Sequence, residues 1–198
     1  VNGRLRAFFE GRGAEAIGLP ERPAIPAGNP LYAYFNALQA DPDEYAILLI
    51  ALAPHLDPNF FDRIIQQHLP QGGDFPEIGG VKGTNSRGML PTGETAQFIL
   101  SGNNIESRLR IQHYILGSSN LIKEDILALE KVKEGEPLMS GKIILNEDHL
   151  LPLLTDKETE IKFGSDFPAR KITTQMNWED AVLNDTTVSQ VNDIMIWV

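Results

Sequence analysis

The sequence predicts a mainly α fold, a helical bundle carrying a small β-hairpin, on three observations. Asx-Pro pairs stand at Asn29-Pro30, Asp41-Pro42 and Asp57-Pro58, each supplying an N-cap and a residue whose φ is preset for the first helical turn. Apolar residues at helical spacing follow them, as in Phe61, Ile64, Ile65 and Leu69. Two short strand-like runs, Ile126-Leu127-Ala128-Leu129 and Lys142-Ile143-Ile144-Leu145, flank the turn-rich Glu134-Gly135-Glu136-Pro137.

In chain order, residues 1–19 form a helix around Leu5, Phe8 and Phe9, weakened by Gly11, Gly13 and Gly18. Pro20, Pro23 and Pro26 then make a stiff linker, which sets 1–28 apart. The three Asx-Pro helices open a domain expected over 29–165. The middle one, Tyr45 to Leu52, is apolar all round, so it belongs at the centre of the bundle and should end near Pro54. Gly72 to Gly93 holds seven of the 17 glycines, in a loop longer than compact domains usually carry without a functional reason. It reads either as a contact surface, with Lys82 and Arg87 as candidate protein contacts in an acidic chain, or as a disordered or self-packed excursion. A helix over Thr95–Leu100, capped by Thr92, comes next. Another runs over Glu106–Leu116, with Ile105, Leu109, Tyr114 and Leu116 available for packing. Helices followed by a hairpin is the order of a winged-helix domain, so the fold is expected to be winged-helix-like.

Seventeen basic residues against 27 acidic ones give a net charge of −10, which repels a polyanion at long range and disfavours nucleic acid. With no cysteine, disulfides and thiolate metal sites are excluded. No apolar run of membrane-spanning length and no signal peptide appears, so no membrane contact and a cytoplasmic location are expected. Val1 in place of methionine, and the apolar final run Ile194-Met195-Ile196-Trp197-Val198, suggest a piece of a longer protein.

Several constellations hold residue types capable of chemistry. Gly88-Met89-Leu90-Pro91-Thr92-Gly93-Glu94-Thr95 has the glycine and threonine spacing of a phosphate-binding loop, G-x-x-x-x-G-K-[ST], with Glu94 where the lysine belongs. Glu94 reverses the required charge and the polar residues 83–87 lead into the turn, so the stretch reads as a helix start whose N-terminal dipole is met by the protein's own carboxylate. His55, Asp57, Asp62 and His68 match no zinc spacing, and Asp57 is better used as a cap. His113 and His149 stand alone, and no serine sits in a nucleophile elbow. Glu124, Asp125, Glu130, Glu134 and Glu136 read as a solvated face. The winged-helix order raises a DNA-binding alternative, for which Arg108, Arg110, Gln112 and His113 are the side chains that would reach phosphate or bases. A metal-dependent enzyme is the third reading.

Two stretches carry a resemblance. HLDPNFFDRIIQQHLPQGGDFPEIGGVKGTNSRGMLPTGETAQFIL, then FGSDFPARKITTQMNWEDAVLNDTTVSQVNDIMIWV, resemble the N-terminal region, with its variant winged-helix domain, of a bacterial AAA+ ATPase family typical of Bacteroidetes. The similarity runs from about Tyr45 onward. In that family an F-P-x-[RK]-x-I-T-T segment, here Phe167 to Thr174, leads into a W-[DE]-D-x-V-L helix start, here Trp178 to Leu183, and then into the ATPase core. The resemblance implies that residues 166–198 are a linker and helix entering such a core, with Trp178, Val182, Leu183, Ile194 and Trp197 as its contacts. Trp178, Val182, Leu183, Val188, Val191, Ile194 and Trp197 do form an apolar pattern at helical spacing, a stripe that needs either a partner or its own domain to cover it. The chain holds no Walker A lysine, Walker B acid, sensor or arginine finger, so it is expected to carry no catalytic or cofactor residues itself. ATP and Mg²⁺ would belong to the core, the parent would be a hexamer, and this region would bind a protein client or adaptor.

Overall fold

The computed structural model describes residues 1–14, 17–18, 34, 38–70, 75–155 and 183–196. Two compact units emerge, Val1–Thr159 and Glu160–Val198. The fold is mainly helical with two small antiparallel hairpins. In the first unit the order is α1 (Asn2–Phe9), α2 (Pro42–Leu56), α3 (Phe60–His68), β1 (Val81–Lys82), β2 (Met89–Leu90), α4 (Gly93–Ser101), α5 (Ile105–His113), α6 (Asn120–Lys123), β3 (Leu127–Leu129), β4 (Ile143–Leu145) and α7 (Glu147–Thr155). In the second unit, α8 spans Asp185–Ile196. No helix among the described residues is long and apolar enough to cross a membrane.

The core forms where the sequence is most apolar. Ile47, Leu48, Ile50, Ala51 and Leu52 of α2 are buried against Leu5, Phe61, Ile78, Phe98 and Ile111. Asp41 starts that helix as expected: its carboxylate accepts from Glu44 N–H at 2.9 Å, while Glu44 Oε2 accepts from Asp41 N–H at 3.0 Å. The helix ends near Pro54 as expected, just beyond it. Pro54 lies inside α2, which continues to Leu56, because a proline in the last turn forfeits only its own donor and Asp57 N–H still closes on Ala53 C=O at 2.9 Å.

Asp57-Pro58 also departs from its assigned role. α3 begins at Phe60, and Asp57 Oδ1 instead accepts from Asn59 N–H at 3.1 Å, closing an Asx turn, while Oδ2 pairs with Arg63 at 2.7 Å. Of the helix expected after Asn29-Pro30, Tyr34 and Leu38 are described and helical, and the proline linker lies outside the described residues. α1 is shorter than the 19 residues anticipated: it stops at Phe9, two residues before Gly11 turns to φ +75°.

The second hairpin pairs Leu127 with Leu145, Ala128 with Ile144 and Leu129 with Ile143, so the two strand-like runs meet as expected. Its outer strand is tied to the start of α4: Ile143 N–H donates to Pro91 C=O at 2.9 Å and Gly93 N–H to Gly141 C=O at 3.1 Å.

The helix over 105–116 needs correction in its register. Ile105, Leu109 and Leu116 are exposed, and Ile111 and Ile115 fill the core instead. The inward face is chosen by packing on α4, where Gln97 Nε2 donates to Arg108 C=O at 2.8 Å and Ser107 Oγ to Ser101 Oγ at 2.9 Å. Regular helix ends at His113. A π turn over Tyr114–Ser118 then shifts the phase, and the Tyr114 hydroxyl donates to Asp41 Oδ2 at 2.8 Å.

Candidate functional site: the first hairpin and its cleft

The glycine-rich stretch is largely an ordered element. From residue 75 onward it makes a single 3₁₀ turn, Pro76–Ile78, then β1 and β2, with Val81 opposite Leu90 and Lys82 opposite Met89. Ile78 and Met89 are buried and anchor it to the core. Gly79 and Gly80, at φ +67° and +95°, turn the chain from the 3₁₀ turn into β1. Gly88 allows close approach: a Cβ there would fall on the carbonyl oxygen of Pro58. Residues 75–93 are therefore ordered and anchored on their own domain, with Lys82 and Arg87 left exposed.

One carboxylate clamps the base of the hairpin. Asp62 of α3 accepts from Met89 N–H at 2.6 Å through Oδ2 and pairs with Lys82 Nζ at 3.0 Å through Oδ1. Partial burial raises the Asp62 pKa, but the Met89 amide and the Lys82 ammonium outweigh it and hold the group below its ordinary value. Beside this clamp lies a cleft of about 280 Å³ whose lining includes Ile65, Ile78 and Val81. Lys82 is thus an exposed cation on a fixed strand, already engaged on one side, and Arg87 stands exposed in the tip between the strands.

Thr92 does cap α4. Its Oγ1 accepts from Thr95 N–H at 3.3 Å and from Gly80 N–H at 3.1 Å, and Thr95 Oγ1 accepts in turn from Thr92 N–H at 3.0 Å. Glu94, in the first turn, pairs with Arg108 of α5. A strand, Met89–Leu90, does lie within the motif, but it belongs to an antiparallel hairpin. The helix end that would cradle phosphate in a nucleotide site is occupied by side chains of the chain itself.

The remaining candidates are dispersed. Arg108 is engaged by Glu94 and by Gly102 C=O at 3.1 Å, and Arg110 by Asp43 at 3.1 Å, so two of the four side chains of the DNA alternative are already in ion pairs. His68 stacks on Phe9 and its Nε2 lies 2.6 Å from Asn2 Oδ1, whereas Asp57 and Asp62 serve Arg63 and the hairpin. Among the described residues no group of three or more His, Asp or Glu side chains is disposed to hold a metal ion. Glu124, Asp125, Glu130, Glu134 and Glu136 are all exposed. His149, read as solitary, lies 3.2 Å from the Tyr34 hydroxyl at a cavity of about 470 Å³, and burial pushes the Tyr34 pKa up to about 12.

Of the residues expected to contact an ATPase core, Trp178, Val182 and Trp197 lie outside the described residues. Leu183 is exposed, and Ile194 falls within α8. Comparison with protein-family models, curated proteins and solved structures finds no match to this chain.

Proposed function

We propose that this chain is the N-terminal recognition and regulatory region of a hexameric AAA+ ATPase, binding protein clients or adaptors through the first hairpin. ATP, Mg²⁺ and hydrolysis belong to a core that follows it. Support for the ATPase assignment comes from the resemblance of Phe167–Thr174 and Trp178–Leu183 to the family's entry into that core. The observation that carries the recognition role is the hairpin: an exposed tip bearing Arg87, next to Lys82, on a base clamped by Asp62. A cationic tip on a rigid base presents its contacts with little ordering cost, which is how a small surface gains affinity.

The test uses the parent ATPase. Arg87→Glu is expected to weaken client or adaptor binding about tenfold, the effect of losing one arginine hot spot. Hydrolysis without client should be unchanged, because Arg87 is exposed at the hairpin tip and this reading assigns hydrolysis to the following core. Client-stimulated hydrolysis that survives Arg87→Glu at the original client concentration would show that the hairpin is not the contact.

A further inference from the structure

We propose that two copies of this chain pair through α5, antiparallel, about a two-fold axis close to Leu109. The proposal is independent of the hairpin reading, since it uses a different face. Ile105, Leu109 and Leu116 are 74%, 60% and 47% exposed, an apolar stripe along α5 and its π turn that the core leaves uncovered by using Ile111 and Ile115 instead. With 3.6 residues per turn, Ile105 and Leu109 lie within about 40° of each other around the helix, so they present one face. An exposed apolar run of this kind marks a contact surface.

The polar groups beside the stripe select a second copy as its occupant, a carboxylate at one end complementing an imidazole at the other. Glu106 and His113, both exposed, stand on the same flank of the stripe two turns apart, an acceptor at the N-terminal end and an imidazole at the C-terminal end. In an antiparallel pair each flank faces the same flank of the other helix. Glu106 of each copy therefore meets His113 of the other, and the two-fold axis makes the contact twice. A parallel pair would join the stripes but leave those groups apart. Arg108 and Arg110 do not interfere, because Glu94 and Asp43 hold them within their own copy. One helix face buries less than the roughly 800 Å² per partner of a standard interface, so the dimer is weak and concentration-dependent.

Sedimentation equilibrium of the whole chain tests this. The weight-average mass should rise with concentration from the 21.9 kDa monomer toward twice that value. Leu109→Glu should restore the monomer mass at the same concentration and leave the thermal melt unchanged, because the side chain is exposed. Glu106→Lys should weaken the dimer about fivefold, since two exposed polar contacts are lost together, and adding His113→Glu should restore it by exchanging the two partners. The proposal is overturned by a mass of 21.9 kDa at all concentrations up to millimolar, by a dimer indifferent to Leu109→Glu, or by a charge exchange that restores nothing.

Discussion

Arg4→Ala is expected to destabilise the Val1–Thr159 unit by about 2–4 kcal/mol, a large share of the stability of any single domain. Arg4 is only 2% exposed, and its guanidinium reaches from α1 to the C-terminal end of α4. There Nε donates to Ile99 C=O at 3.1 Å and Nη2 to Leu100 C=O at 3.3 Å, while Nη1 reaches Gly13 C=O at 3.3 Å. The last carbonyls of a helix have no intrahelical donor and carry the negative end of its dipole, so a buried cation satisfies both requirements. Alanine removes three donors together and leaves a void among buried groups. Arg4→Lys keeps the charge but loses the planar fork, and should fall between the two. Gly102, at φ +54°, belongs to the same arrangement, since a Cβ there would collide with the Gly13 carbonyl and crowd Arg4 Nη1. Urea unfolding measures the loss as a lower midpoint at unchanged slope. A loss under about 1 kcal/mol would mean that solvent takes over the carbonyls once the guanidinium is gone.

Glu44→Ala should cost about 2–4 kcal/mol, more than an ordinary cap, because one carboxylate serves two helices. Glu44 is 4% exposed; its Oε2 completes the cap of α2 by accepting from Asp41 N–H, and its Oε1 accepts from Asn120 N–H, the first residue of α6, at 2.6 Å. This accounts for Ser119, which precedes α6 yet makes no side-chain cap. The same corner receives the Tyr114 hydroxyl on Asp41, and that bond, together with burial, raises the Tyr114 pKa. Glu44→Gln should rescue little, since an amide offers one oxygen where two N–H groups need acceptors. Thermal unfolding of the three proteins orders them. A glutamine variant as stable as the original would show that the double cap does not form in solution.

How much of this was legible depends on whether the deciding contact is local. Asp41 and Thr92 cap their helices through residues three positions away, so the sequence displays both partners. The two strands of the second hairpin were legible as short apolar runs on either side of a turn, though their register was not. The face of α5 was not, because Ile105, Leu109 and Leu116 compete with Ile111 and Ile115, and the choice is made by α4 and by a π turn without a clear sequence signal. The glycine stretch looked like a loop because its order comes from Asp62, 27 residues before the Met89 amide that it binds. The burial of Arg4 and Glu44 was not legible, since charged residues are mostly exposed. For Glu44 the Asp41-x-x-Glu44 spacing was an available sign of a capping box, whereas nothing near Arg4 points to carbonyls 95 and 96 residues away.

The central functional claim, that this region leads into an ATPase core, is tested most directly by reading the coding sequence that follows the Val198 codon in the parent gene. The account predicts an open frame that, within about 40 residues, encodes an apolar strand followed by a G-x-x-x-x-G-K-[ST] turn, the strand-to-helix context that phosphate binding requires and that Gly88–Thr95 lacks. A stop codon directly after Val198, or a continuation without such a turn, would contradict it.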